Sequence, residues 1–172
     1  MTDEIVNKVA NSGLLTINLE HIYPKGERVA LDIKDTLFMG MVLKEKDFRL
    51  WISSFDWQQY QDKNVAVFCS VDAIIPTWAY MLISSKLTGI AQKVIFGSIE
   101  TLETVLWEES ILNLDVSEYL GKKVVIKGCG DLFISPAAYL QLTSKLVPIA
   151  QSVMYGEPCS TVPVYKSKIA PH

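Results

Sequence analysis

The residues of this sequence best suited to chemistry are three cysteines and two aspartates. Each cysteine falls near the predicted carboxyl end of a strand, which is the edge where open α/β sheets bind their ligands. Thiolates and carboxylates are both ligands of zinc and iron, so such residues on neighbouring loops can share one ion. The sequence therefore predicts a zinc or iron site formed by Cys69, Cys129, Cys159, Asp72 and Asp131.

The same cysteines allow two other interpretations. Helix N-termini that face this edge lower the pKa of a thiol, so a reactive thiol for sulfur or acyl transfer is one alternative. The other is a non-catalytic structural or protein-interaction module, because cysteine is often buried as inert packing. The sequence has no CxxC or HExxH spacing, and His21 and His172 do not suggest a histidine-based catalytic group. The substrate, and whether there is turnover at all, stay open.

The elements that would position these residues alternate between strand and helix. Short apolar runs rich in β-branched residues predict buried parallel strands at 65–68, 94–96, 124–126 and 153–155. Helical spacing predicts helices at 45–53, 76–87, 99–112 and 136–149. Alternating residues predict strands at 14–19 and 28–33, within an otherwise irregular N-terminal segment, 1–36. We therefore predict an α/β fold, a mostly parallel sheet flanked by helices, as a single domain over residues 1–172.

Residues 56–97 and 115–156 form an internal repeat. A shift of 59 positions places the first segment on the second without a gap. Ser85-Lys86-Leu87 then matches Ser144-Lys145-Leu146, and Tyr80 matches Tyr139. We interpret the repeat as the duplication of a strand–helix–strand unit. Lys86 and Lys145 fall near predicted helix ends, where a cation complements the helix dipole, so we expect both to be structural.

Charge and hydropathy indicate which classes of partner, among nucleic acids, membranes and a second copy of the chain, this protein is expected to bind. The formal net charge is −3 and the 16 Lys and Arg residues are scattered, which argues against nucleic-acid binding. No apolar run approaches the ~20 residues that span a bilayer. The acidic start, Met1-Thr2-Asp3-Glu4, does not resemble a signal peptide, so we expect a cytoplasmic protein with no membrane partner. The hydrophobic content of 49% and the four Trp residues exceed the needs of a minimal monomer, so we expect a homodimer.

Four segments carry a resemblance to a known family. YPKGERVALDIKD, DAIIPTWAYM, VVIKGC and GEPCSTVPVY resemble segments of an uncharacterised bacterial family known only as a domain of unknown function. The resemblance covers nearly the whole chain, and the family has no established activity. Its genes often lie beside genes for iron–sulfur cluster assembly of the sulfur-mobilisation type. The resemblance therefore implies iron–sulfur assembly proteins as partners and favours the metal or sulfur interpretation.

Overall fold

The computed structural model describes residues 13–128, 132 and 134–168. Within these residues the chain forms seven β-strands and four α-helices. The strands are β1 (Leu14–Asn18), β2 (Arg28–Asp32), β3 (Asn64–Phe68), β4 (Lys93–Phe96), β5 (Lys123–Lys127), β6 (Ser152–Glu157) and β7 (Ser160–Lys166). The helices are α1 (Glu45–Ser54), α2 (Thr77–Leu87), α3 (Ile99–Leu112) and α4 (Pro136–Leu146).

The chain divides into two compact units. The first, which we call the split unit, combines Met1–Pro24 with Leu106–His172. The second, which we call the continuous unit, is Lys25–Val105. Helix α3 therefore begins in the continuous unit and ends in the split unit.

The split unit contains a four-stranded sheet in the order β1-β5-β6-β7. Strands β1, β5 and β6 are parallel, and β7 runs antiparallel to β6. The core of this unit joins Val124 and Val153 of the sheet to Leu142 and Leu146 of α4, and Trp107 of α3 packs into the same cluster. All five side chains are fully buried, which makes this cluster the main apolar stabilisation of the split unit.

The continuous unit contains a three-stranded parallel sheet in the order β2-β3-β4. Its core joins Val65 and Val67 of the central strand to Phe48 of α1 and to Ile83 and Leu87 of α2. The β-branched residues of β3 are buried, as the unbroken apolar run of this strand predicts.

The predicted α/β class is confirmed, with mostly parallel strands flanked by helices. Within the described residues the strands form two sheets rather than the one expected, because β1 pairs with β5 whereas β2 pairs with β3. Helix α4 ends at Leu146, before the predicted end at 149. Strand β7 was not predicted, because Pro163 interrupts its pattern, yet an edge strand tolerates proline. A single domain over residues 1–172 stays a prediction.

The two segments of repeated sequence have similar local structure, each within its own unit. The Asp62 N–H donates to the Ile90 carbonyl at 2.9 Å, and the Gly121 N–H donates to the Ile149 carbonyl at 2.8 Å. Asp62 and Gly121 have positive φ angles of 58° and 67°, in the left-handed region that aspartate and glycine enter more readily than most residues. These likenesses support the expected duplication, which itself stays a prediction.

Candidate ligand-binding site

One face of helix α4 packs into the core of the split unit, and the flank next to this face lies beside strands β6 and β7. Ala138, Leu142 and Leu146 are fully buried, and their spacing of four residues places them on one helix face. Tyr139 is only partly buried, and Leu140 is 73% exposed. The flank of the helix is therefore apolar but not covered by the core of its own unit.

A groove of about 610 Å³ runs along this flank, from Pro136 at the start of α4 to Val147 just after its end. We call it the α4 groove. It is lined by Ile126, Pro136, Tyr139, Leu140, Thr143, Ser144, Val147, Met154, Tyr155 and Val164. Its volume lies within the range of roughly 300–1,000 Å³ that is usual for small-molecule sites.

The wall opposite the helix depends on an irregularity in the pairing of β6 with β7. Val153 pairs with Tyr165 and Met154 pairs with Pro163, so Val164 is the extra residue of a β-bulge. Bulges bend a strand and re-aim its side chains. Val164 is 54% exposed and lines the α4 groove, so the bulge helps to shape this wall.

One end of the α4 groove is built on Gly128. The Tyr139 hydroxyl donates a hydrogen bond to the Gly128 carbonyl at 3.0 Å. A Cβ at residue 128 would collide with this hydroxyl, so glycine allows the phenol to approach the backbone. Tyr139 also packs edge-to-face on Tyr155, with ring centroids 5.7 Å apart. Two aromatic rings are thus held together at this end of the groove.

The chemistry of the α4 groove is apolar, with hydroxyl groups as its polar side-chain atoms. The hydroxyls belong to Tyr139, Thr143, Ser144 and Tyr155, and none of the described residues that line the groove is charged. A charged ligand group buried there would lose hydration without gaining an opposite charge. The lining therefore suits an uncharged, mainly apolar ligand.

The continuous unit contains a groove of about 510 Å³ along α2, which we call the α2 groove. It is lined by Val67, Thr77, Tyr80, Met81, Ser84, Ser85, Thr88, Val94, Ile95 and Phe96. Tyr80 packs edge-to-face on Phe96, with centroids 5.1 Å apart. Four Ser and Thr residues make the helix side of this groove richer in hydroxyls than that of the α4 groove.

Polar groups gather at the carboxyl ends of β2 and β3 in the continuous unit. The Asp32 carboxylate accepts hydrogen bonds from the N–H groups of Lys34 and Ser70, both at 3.1 Å, and lies 3.5 Å from the Lys34 ammonium. Burial raises the pKa of Asp32, but the hydrogen bonds from Ser70 and Lys34 outweigh it, so the pKa lies below its ordinary value. Asp32 thus anchors the backbone directly after Cys69.

Cys69 directly follows β3 at this same edge. Burial raises the pKa of Tyr80, and electrostatic repulsion from Cys69 raises it further. Cys69 is half-buried and packs against the core of the continuous unit, which fits a packing role as well as a chemical one. Cys69 comes two residues after Val67 of β3, and both Val67 and Tyr80 line the α2 groove.

The predicted metal ligands do not all lie in one unit. Cys69 and Asp72 belong to the continuous unit, whereas Cys159 is exposed in the turn between β6 and β7 of the split unit. Cys129 and Asp131 lie outside the described residues. Within the described part of the chain, no group of three His, Cys, Asp or Glu residues could hold a metal ion. The five-residue metal site, the iron–sulfur partners and the homodimer stay predictions.

The grooves and Asp32 were not identified from the sequence, although signals for them exist. Leu140 and Met81 are apolar at helix positions outside the buried spacing, and they occupy matching places in the repeat. The repeated pair Tyr80 and Tyr139 marks the aromatic end of each groove. Asp32 ends an alternating strand, where a carboxylate can accept hydrogen bonds from the next loop.

Comparison with known proteins places the chain in a family but gives no activity. No curated protein and no solved structure matches it. In the described residues, no helix has the length and apolar character needed to cross a membrane. A family model described as "Protein of unknown function (DUF2480)" matches residues 3–167, nearly the whole chain, which confirms the expected uncharacterised family. The chain therefore belongs to the family of unknown function DUF2480.

Proposed function

We propose that this protein binds a small, uncharged and mainly apolar ligand in the α4 groove. The observation that carries the proposal is the composition of the lining, with aliphatic and aromatic walls and no charged residue among those described. Tyr139 and Tyr155 form an aromatic corner that would stack on a planar ligand group. The hydroxyls of Thr143 and Ser144 would orient its polar groups.

The energetics favour a ligand that covers most of this apolar surface. Each Å² of apolar surface removed from water contributes about 25 cal/mol, before the cost of immobilising the ligand is subtracted. The hydrogen bond from Tyr139 to Gly128 holds one ring in place before binding, which reduces that cost. The proposal concerns binding and assigns no reaction.

A fluorescence titration with prodan tests this proposal. Prodan is an uncharged naphthalene dye with one carbonyl acceptor, and its emission shifts to the blue in apolar surroundings. We expect a saturable blue shift with the wild-type protein. The variant Leu140→Glu places a carboxylate on the lining at a residue that is 73% exposed, so the fold should tolerate it. We expect this variant to bind prodan about tenfold more weakly or worse, a loss of about 1.4 kcal/mol.

The matched control is Leu120→Glu. Leu120 is 67% exposed in the same unit and does not line the α4 groove, so this variant has the same change in charge and apolar surface. Its affinity for prodan should equal that of the wild type. Equal losses in the two variants, or no saturable binding by the wild type, would contradict the proposal.

A metal or sulfur site at the strand ends is a separate proposal. It is supported by the residue types of Cys69, Cys129, Cys159, Asp72 and Asp131, and by the position of Cys69 directly after β3. It is independent of the α4 groove, whose described lining contains no cysteine and no carboxylate.

A further inference from the structure

The two grooves are built from matching positions of the repeated segments. Except for Val94, every residue that lines the α2 groove lies 59 positions before a residue that lines the α4 groove. Tyr80 corresponds to Tyr139, and Met81 corresponds to Leu140. The helix flank that is uncovered in one unit is therefore the same flank that is uncovered in the other.

The geometry around these positions also matches. The ring of Tyr80 meets Phe96 at 79°, and the ring of Tyr139 meets Tyr155 at the same angle. The parallel ladders agree in register, because Val65 pairs with Val94 as Val124 pairs with Val153. Each unit thus presents an aromatic corner beside an exposed helix flank.

The side chains differ in a way that changes the ligand each groove would accept. Thr77 and Thr88 in the α2 groove replace Pro136 and Val147 in the α4 groove. The Thr88 hydroxyl donates to the Ser84 carbonyl at 2.8 Å, so its oxygen is left as an acceptor for a ligand. Among the described residues, the sheet beside the α2 groove has no strand in the place of β7, so the groove has one wall fewer.

We propose that the α2 groove is a second ligand site, which binds an uncharged aromatic ligand of similar size that carries more hydrogen-bonding groups. The inference rests on the proposed function, since the α4 groove defines the ligand class. An apolar probe binds the α2 groove more weakly than the α4 groove, because hydroxyls replace apolar contacts and β7 has no counterpart among the described residues.

Cys69 provides a built-in reporter of the second site, because it follows β3 two residues after Val67, which lines the α2 groove. Cys159 is exposed in the other unit and serves as the internal control. Alkylation by iodoacetamide is followed for each cysteine by mass spectrometry of its peptide. At a prodan concentration about ten times the Kd of the weaker site, alkylation of Cys69 should slow measurably, by at most about tenfold, while that of Cys159 is unchanged.

Matched variants separate the two sites. Met81→Glu changes a residue that is 67% exposed on the α2 groove, and Leu50→Glu changes one that is 60% exposed on α1, outside its lining. Met81→Glu should abolish the weaker phase of prodan binding and the protection of Cys69, whereas Leu50→Glu and Leu140→Glu should retain both.

Two results would overturn the second site. The first is a titration curve with a single site that is lost entirely in Leu140→Glu, which would leave the proposed function intact. The second is loss of the weaker phase in the variant Met39→Glu, because Met39 is exposed outside both grooves.

Discussion

The Tyr139 hydroxyl and the Gly128 carbonyl, 3.0 Å apart, join the first turn of α4 to the residue that follows β5. The matching residues in the continuous unit are Tyr80 and Cys69. Cysteine at position 69 carries a side chain where position 128 has none. The two copies of the repeat therefore differ by a Cβ at the residue that follows the strand.

Adding a methyl group at residue 128 should displace Tyr139. In Gly128→Ala the new Cβ would overlap the phenol oxygen, so the ring must move and its hydrogen bond is lost. We expect a loss of about 1 kcal/mol in the free energy of unfolding, together with weaker prodan binding. Urea unfolding of the variant measures the first effect, and the fluorescence titration measures the second.

A double-mutant cycle with Tyr139→Phe checks the cause. Phenylalanine has no hydroxyl to collide with the new Cβ or to bond with the carbonyl, so part of the cost of Gly128→Ala disappears in that background. Strictly additive costs would show that the alanine acts through some other contact.

Lys145 should contribute measurably to stability, whereas its repeat partner Lys86, also expected from the sequence to be structural, should contribute less. The Lys145 ammonium donates to the carbonyls of Ile111 and Leu112 at the end of α3 and of Leu114 just after it, at 2.6–2.7 Å. Lys145→Met removes these charged hydrogen bonds and should cost about 2 kcal/mol. Lys86→Met is the matched control, because Lys86 is exposed at the same position of α2. Similar melting temperatures for the two variants would refute the capping role of Lys145.

Tyr119 should make the protein less stable at high pH. Burial, together with the hydrogen bond and the charge of Glu118, raises the pKa of Tyr119 to about 12. The folded state thus keeps its proton above the ordinary pKa of about 10. The stabilisation is fully present below pH ~10 and is lost as the pH rises towards ~12. Urea unfolding at both ends of this pH range measures the free energy of unfolding, which should fall less in Tyr119→Phe than in the wild type. An equal fall in the two proteins would contradict the raised pKa of Tyr119.

The predicted thiol and carboxylate site can be tested by metal analysis of protein purified without added metal. If Cys69, Cys129, Cys159, Asp72 and Asp131 form a site, the purified protein should retain about one zinc or iron ion per chain. A chelator should remove this ion, and Cys159→Ser should weaken its binding. Thiol titration should then show the cysteines less reactive before chelation than after it. Metal-free protein whose cysteines react equally with and without chelator would support inert packing instead.

Local structure was predictable from the sequence because each strand and helix has its own pattern. The β-branched runs at 65–68 and 124–126 predicted β3 and β5. Ser135 is the N-cap of α4, since its hydroxyl accepts from the Ala137 N–H at 3.3 Å, and serine is a favoured residue type at that position. Strand β7 was missed because Pro163 reads as a break when the strand's edge position is unknown.

The sites were less predictable because they depend on pairings distant in sequence. The sequence shows that cysteines follow strands, but not that Cys69 and Cys159 fall in separate units. It also shows that Leu140 is apolar, but not that α4 leaves it exposed beside Val164 of β7 in one groove. The separation of the cysteines and the position of Leu140 both depend on strand order, which cannot be deduced from the local sequence pattern.

The most direct test of the central claim is a heteronuclear NMR titration with prodan, which reports on the backbone amide of each residue. Binding in the α4 groove should perturb the amides of Tyr139, Leu140 and Val147 at the lowest prodan concentrations. In Leu140→Glu these early perturbations should disappear, while Leu120→Glu should retain them. Early perturbations confined to the exposed residues Met39 and Met41, with the amides of α4 unchanged, would contradict the account.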